Sequence, residues 1–364
     1  MKKIRDLIRP SIADILPYPP GKPIEEVKRE LGLNEVIKLA SNENALGPSP
    51  KAIEAIKKAV GDINIYPDGN SFYLKQKIAQ KLNVGMDEIF MGNGTDEVIR
   101  VITEAFLNPD EEVVIAWPGF VIYSIATNVM AGTLKSTTLK NYTHDLEAML
   151  DAVTDKTKLL FIANPNNPTG TIVDKTQVEF FMKKVPEDVI VVFDEAYYEY
   201  AGDNFPDTIQ YMREGRNVII LRTFSKIYGL AGLRVGYGIA KKEIFAEMNR
   251  IRQPFNVNRL AQAAAIAALD DEQQIKKSKA MNEEGKKFLY KELESFGLEY
   301  VPTSANFILV NMARDGKEVF EKLLREGVIV RPMGSYDMPN FIRVTIGKLS
   351  DNIKFIESLK KILK

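Results

Sequence analysis

Lys226 stands in Thr223-Phe224-Ser225-Lys226-Ile227-Tyr228-Gly229-Leu230-Ala231-Gly232-Leu233-Arg234, directly after the apolar run Val218-Ile219-Ile220-Leu221. A lysine at the end of such a run lies where α/β proteins place ligands, outside the carboxyl ends of parallel strands. Its amine, when neutral, condenses with an aldehyde, and desolvation or a nearby cation favours the neutral form. Arg234, reached through Gly229 and Gly232, supplies both such a cation and a planar clamp for a phosphate. A lone Ser-Lys before a glycine turn is also what a solvated lysine looks like, so other residues have to carry the case.

Two more strand ends carry it. The run Lys158 to Ala163 leads into Asn164-Pro165-Asn166-Asn167-Pro168-Thr169-Gly170, and Val189 to Phe193 ends in Asp194-Glu195-Ala196-Tyr197. If these strands are parallel, Asn167, Asp194 and Lys226 emerge on one edge of a sheet. Together they suit pyridoxal phosphate. A carboxylate at the pyridine nitrogen, Asp194, keeps the ring protonated and therefore a better electron sink when a Cα proton leaves. Asn167 and Tyr197 can hydrogen-bond the ring's phenolic oxygen, and Lys226, once displaced by an amino acid, can move the proton between Cα and C4′. Each element has a plainer explanation: a loop, a helix cap, or core aromatics at Tyr197, Tyr198 and Tyr200. Those explanations would have to hold at three successive strand ends.

A phosphate needs its own cradle. Gly92-Asn93-Gly94-Thr95-Asp96 precedes a segment with Val98, Ile102, Ala105 and Phe106 at helical spacing, so backbone N–H groups of a helix N-terminus face the turn. Thr95 adds a hydroxyl, and Ser225 and Arg234 complete the cradle from the lysine strand. The turn is not a dinucleotide fingerprint, because Gly-x-Gly-x-x-Gly fails at Glu97, and no lysine follows as a Walker motif requires. Phe120, in Trp117-Pro118-Gly119-Phe120, can stack on a flat ring or pack in a core.

Composition narrows the alternatives. Lysine plus arginine and aspartate plus glutamate number 49 each, so no global field draws the chain to nucleic acid or an anionic membrane. Cysteine is absent and His144 is the only histidine, which removes disulfides, thiolate chemistry and the usual metal ligands; no metal is expected. His144 follows Tyr142-Thr143 in a polar stretch and reads as a surface residue. The charged start, Lys2 to Arg9, has no apolar core of signal length after it, and no segment approaches the roughly 20 apolar residues of a spanning helix. A cytoplasmic location is the expectation.

The elements that must position these residues follow from periodicity. Pro17, Pro19, Pro20, Gly21 and Pro23 make residues 1–40 an arm that cannot be helical throughout. Strand-like runs at 112–116, 158–163, 189–193, 218–222 and 235–240 alternate with helix-length segments, the pattern of a mostly parallel sheet covered on both faces. After about residue 245 the sequence becomes helix-rich, then closes with strands at 307–310, 328–330 and 341–344 and a helix from Asp351. The predicted organisation is an arm, 1–40, a large cofactor-binding domain, 41–245, and a smaller α+β domain, 246–364.

The motifs at 92–96, 164–170, 194–197 and 225–234, with Ser41-Asn42-Glu43-Asn44, resemble the fold-type I pyridoxal-phosphate-dependent aminotransferases over nearly the whole chain. Pro17-Tyr18-Pro19-Pro20-Gly21-Lys22-Pro23, and Val330-Arg331-Pro332-Met333-Gly334-Ser335-Tyr336 leading to Phe341-Ile342-Arg343-Val344-Thr345, resemble the histidinol-phosphate branch of that family. The resemblance implies an α/β fold, with a mostly parallel seven-stranded sheet in the large domain, and a cytoplasmic homodimer. It implies amino transfer between histidinol phosphate and 2-oxoglutarate in histidine biosynthesis. Other branches transaminate aromatic amino acids or decarboxylate threonine phosphate, and a non-catalytic cofactor binder is the alternative of a different class. By the same resemblance Lys226, Asp194 and Tyr197 are catalytic. Gly94, Thr95, Asp96, Phe120, Asn167, Thr223, Ser225, Arg234 and Tyr66 join them around the cofactor, Tyr66 from across a dimer interface. Tyr18, Asn42, Asn167, Arg331 and Arg343 surround the substrate, with Arg343 on glutamate's α-carboxylate or the phosphate. Asp337 lies in the same stretch, and an acid near a bound phosphate opposes it.

Overall fold

Alternate side chains of the central strands bury on opposite faces of one sheet: Val191 and Phe193 enter one core cluster, Ile190 and Val192 the other. The computed structural model describes residues 3–363, so Met1 and Lys2 of the charged start, and Lys364, lie outside them. In spatial order the large sheet runs Ile89–Gly92, Gly236–Ala240, Val218–Thr223, Ile190–Asp194, Thr157–Ala163, Glu112–Trp117, Thr133–Lys140 and Thr143–His144. Pairing is parallel from Val218–Thr223 through to Thr133–Lys140. Gly236–Ala240 is antiparallel to both of its neighbours.

The sheet has eight strands where the resemblance implies seven, and the extra one is the two-residue edge piece Thr143–His144. That pairing, Leu139 opposite His144, turns the histidine inward. His144 is therefore buried, with Nε2 2.9 Å from the Ala163 carbonyl oxygen, and the surface position expected from its polar neighbours is wrong. Burial drives its pKa down from 6.5 to about 4, so the ring is neutral at physiological pH.

The alanine-rich helix Arg259–Leu269, capped by Asn258, buries Ala261, Ala264, Ala265 and Ala268 at three- and four-residue spacing. These small side chains join the core cluster of the large sheet together with Ala52 of the helix Pro50–Ala59. The composition shift at 245 thus does not mark where that core ends. A second sheet of four antiparallel strands is ordered Tyr300–Val301, Phe307–Asn311, Phe341–Thr345 and Arg331–Pro332. Its core draws on the helices Glu272–Ser295, Gly316–Arg325 and Leu349–Leu363 through Leu289, Leu323, Phe355 and Leu359. The arm carries the helix Ile24–Leu31 and then pairs Ile37–Lys38 parallel to Val328–Ile329, which fastens it beside the second sheet. No helix among the described residues is long and apolar enough to cross a membrane.

Candidate active site

Register brings the three strand ends together. Ala163 lies opposite Asp194, and Asp194 opposite Leu221, so the loops carrying Asn167, Asp194 and Lys226 leave the sheet side by side. They open onto a cavity of about 270 Å³ lined from three directions. The large sheet contributes Thr95, Asp96, Phe120, Tyr123, Asn167, Asp194, Tyr197, Thr223, Ser225, Lys226 and Arg234; the arm contributes Tyr18 and the segment just after it Asn42; the second sheet contributes Tyr336 and Arg343.

The loop after Ala163 holds its shape with its own asparagines. Asn164 donates to the Val173 carbonyl and accepts from the Val173 N–H, both at 3.0 Å, and Asn166 Nδ2 donates to Thr169 Oγ1 at 3.0 Å. Gly170 closes the turn at φ +76°, where a Cβ would lie 2.0 Å from Thr303 Oγ1, so no other residue fits. Asn167 is thereby aimed into the cavity; its carbonyl oxygen accepts from Arg343 Nη1, which leaves its Nδ2 to the cavity.

Asp194 is buried, and burial raises its pKa from 3.8 to about 6 against two hydrogen bonds that favour the carboxylate. Those come from Tyr123 Oη at 2.7 Å and the Ala196 N–H at 3.2 Å. Tyr123 sits on the helix Ile122–Val129, stacked on Phe161 and edge-on to Phe120. Nothing in its local sequence marks it beyond its place three residues after Phe120. Behind this wall Arg222, buried, donates to Glu195 Oε2 through Nε at 3.0 Å and Nη2 at 2.9 Å. Burial disfavours the Arg222 charge, but Glu195 beside it more than restores it, so the guanidinium stays ionised. Because Glu195 follows Asp194 and Arg222 precedes Thr223, the pair ties together the two strand ends of the cavity.

Lys226 Nζ donates to the Ser41 carbonyl at 3.4 Å and lies 5.4 Å from the Tyr197 ring centre. Tyr197 Oη accepts from Asn42 Nδ2 at 3.0 Å, so its own hydrogen remains to be donated. Asn42, at φ +58°, is held by the second sheet: its N–H donates to Thr345 Oγ1 at 2.9 Å and its carbonyl accepts from Asn306 Nδ2 at 2.9 Å.

At the other wall of the same end, the helix Thr95–Phe106 begins at Gly94, which offers no side-chain cap and has φ +78°. A Cβ on Gly94 would sit 2.6 Å from Arg234 Nη2. Bare backbone N–H groups, the hydroxyls of Thr95 and Ser225, and Arg234 therefore face one small volume, and that donor set suits a phosphate dianion. Arg234 meanwhile contacts Asp96 at 3.2 Å, an exposed pair that contributes little to stability.

Arg331 and Arg343 are directly opposite one another on neighbouring strands, and both are buried. Like charges so placed repel, and a carboxylate partner would relieve them. Their hydrogen-bond partners are neutral: the Pro19 carbonyl for Arg331 at 2.9 Å, and the Ala40 carbonyl at 2.8 Å plus Asn167 for Arg343. Arg343 Nε is buried with no hydrogen-bond partner among the described residues. Arg331 does not reach the cavity wall; it lies one layer back, its guanidinium carbon 5.3 Å from the centre of the Tyr18 ring. Tyr66 is also outside the cavity, stacked on Phe255 and 76% exposed. Tyr336 enters the wall although it was singled out only as part of a longer motif. Asp337 accepts from Trp117 Nε1 at 2.6 Å and does not line the cavity, so the acid that would oppose a phosphate stands outside it.

A strand-end lysine facing a buried aspartate and a phosphate-sized cradle defines an enzyme of amino-group chemistry, and the chain belongs to the class I and II aminotransferases, whose family model matches residues 34–359. It is 54% identical to the histidinol-phosphate aminotransferase of Moorella thermoacetica, over 98% of this chain and 92% of that one. It is 51% identical to the histidinol-phosphate aminotransferase of Caldicellulosiruptor saccharolyticus, over 98% and 100%. Among solved structures it superposes with TM-score 0.90 on the histidinol-phosphate aminotransferase of Sinorhizobium meliloti in complex with pyridoxal-5'-phosphate, at 28% identity over 98% of each chain.

Proposed function

We propose that this protein is a cytoplasmic, homodimeric, pyridoxal-phosphate-dependent enzyme that transfers the amino group of L-histidinol phosphate to 2-oxoglutarate, giving imidazole acetol phosphate and L-glutamate in histidine biosynthesis. The observation that carries the substrate reading is the buried cross-strand pair Arg331 and Arg343, which among the described residues has no carboxylate paired to it and leaves Arg343 Nε without a hydrogen bond. A planar guanidinium takes a carboxylate or a phosphate through paired hydrogen bonds, so one arginine serves both amino donors in turn. The relatives named above support the same choice.

When bound, pyridoxal phosphate supplies an aldehyde that accepts the amino group and a protonated ring that accepts electrons. The N-terminus of Thr95–Phe106 with Ser225 and Arg234 would hold its phosphate, and Phe120 and Asp194 would hold its ring. Asp194 holds the positive charge at the ring nitrogen, and Tyr123 keeps that carboxylate ionised. Tyr197 and Asn167 each have a hydrogen left to donate into the cavity. Lys226 Nζ anchors the cofactor and then moves the proton released from the substrate's Cα. Tyr18, Asn42 and Tyr336 orient the substrate held by Arg343 and close its end of the cavity to water.

The dimer rests on exposure. Ile63, Tyr66 and Tyr73 are 66%, 76% and 70% exposed, with Phe72 and Phe255 nearby, and a second copy would cover this apolar surface and carry Tyr66 to the neighbouring phosphate. We place the division between the two domains on the helix Glu272–Ser295, where burial passes from the first core to the second, rather than at 245.

The test is glutamate production from L-histidinol phosphate and 2-oxoglutarate... by the purified protein, with Lys226→Ala as the control. The variant should lose the borohydride-sensitive visible absorbance of the bound cofactor and at least about a thousandfold in turnover. Turnover surviving in Lys226→Ala would refute the assignment of the lysine.

A further inference from the structure

Trp117 is the only tryptophan in the chain, and it ends a strand of the large sheet. Its side chain nonetheless packs into a cluster whose buried members, Val301, Leu309, Met333, Tyr336 and Met338, belong to the second sheet or to the turn between its last two strands in the chain. The indole stacks on the Tyr336 ring, centres 5.6 Å apart and planes 9° from parallel. Its Nε1 donates to exposed Asp337 Oδ2 at 2.6 Å, a charge-assisted bond at the open edge of the half-buried indole. Asp337 adopts φ +57°, a left-handed backbone that an L-residue other than asparagine, aspartate or glycine seldom takes. The left-handed turn therefore suits an aspartate, whose carboxylate it presents to the indole.

The next residue back is part of the cavity. Tyr336 lines it beside Arg343 and Tyr18, and Arg343 is the charge that most eases its buried hydroxyl. From the large sheet, then, a continuous contact runs through Trp117 to the wall of the substrate end, although neither Trp117 nor Asp337 lines the cavity.

We infer that Trp117 and Asp337 are positioning residues: they seat Tyr336 against the substrate end of the cavity and hold the second sheet over it, and so set the affinity for the amino donor without touching it. The inference rests on the transamination proposed above. It separates substrate binding from cofactor binding, since the Thr95, Ser225 and Arg234 cradle has no part in these contacts.

Asp337→Gly is the decisive variant, because glycine relieves the left-handed backbone while deleting the acceptor. In the holoenzyme it should shift the emission of Trp117 and raise the KM for L-histidinol phosphate about tenfold, the equivalent of about 1.4 kcal/mol. kcat and cofactor affinity should stay within about twofold. Asp337→Asn, which keeps an acceptor and tolerates the backbone, should recover most of the KM, and Trp117→Phe, which keeps a ring but no donor, should not. An Asp337→Gly enzyme with wild-type KM overturns the inference, as does one whose kcat and cofactor affinity fall as KM rises. If the wild type does not accept histidinol phosphate, the proposed function fails instead, and the same KM comparison with L-glutamate decides the role of Trp117 and Asp337.

Discussion

The two ends of the cavity are built differently. The proposed cofactor end comes almost entirely from one sheet: Asn167, Asp194 and Lys226 follow adjacent parallel strands whose register brings them side by side. The substrate end is assembled from segments far apart in the chain, with Arg343 bonded to Ala40 and Asn167, and Asn42 bonded to Tyr197 and Thr345. A rigid sheet suits a cofactor that stays in place. Contacts between separately packed units suit a substrate that must enter, react and leave, because they can open without disturbing either core.

The difference is sharpest at the charges. At the cofactor end an acid is held where burial opposes its ionisation; at the substrate end two arginines face each other with no acid paired to them among the described residues. Each arrangement is unfavourable by itself and would be relieved by the opposite charge of a ligand. Asp194→Asn should therefore show the largest effect, a fall of about a thousandfold in kcat as charge stabilisation at the ring is lost. It should also change the apoprotein in the opposite sense. The raised pKa of Asp194 means that its contribution to stability is fully present below 3.8 and lost as pH rises through about 6. At pH 8 the Asn variant should be more stable than the wild type by at most about 3 kcal/mol, with the gap closing near pH 4, as read by denaturant melts of both apoproteins.

Arg343→Ala comes next and isolates the other end. The KM for both histidinol phosphate and glutamate should rise by about a hundredfold, the loss of a hydrogen-bonded charge pair, with cofactor titration unchanged. A rise for one substrate only would divide the ends more finely than a single shared arginine allows. Tyr123→Phe should have the smallest effect, weakening the cofactor about tenfold by removing one charge-assisted bond to Asp194, while the KM for either amino donor stays near wild type.

The same contrast governs what could be read from the sequence. Lys226, Asp194 and Asn167 lie in short contiguous motifs at the ends of apolar runs, so local pattern and one topological rule place them together. Thr95, Ser225 and Arg234 share that advantage. Tyr123 was missed because its role depends on a helix turning one side chain onto a carboxylate of another strand, and its own neighbours look like any amphipathic stretch. His144 was misplaced because a two-residue edge pairing, too short to leave a periodic signal, decides which way it points. The alanines of Arg259–Leu269 show a helical stripe but not which sheet receives it. Arg331 and Arg343 were legible as candidates; that they are cross-strand neighbours, one in the cavity wall and one a layer behind Tyr18, follows only from the register of the second sheet.

The central claim is that one cavity, with its cofactor end fixed and a single arginine at its substrate end, accepts both a phosphate-bearing and a carboxylate-bearing amino donor. Rapid-mixing spectroscopy of the holoenzyme, following the visible absorbance of the cofactor after addition of L-histidinol phosphate, L-glutamate or L-phenylalanine in separate experiments, tests it in one half-reaction. The account predicts saturable loss of the absorbance with both histidinol phosphate and glutamate, with phenylalanine as the comparison that carries an α-carboxylate and no phosphate. Efficient conversion by phenylalanine with no response to histidinol phosphate would contradict it.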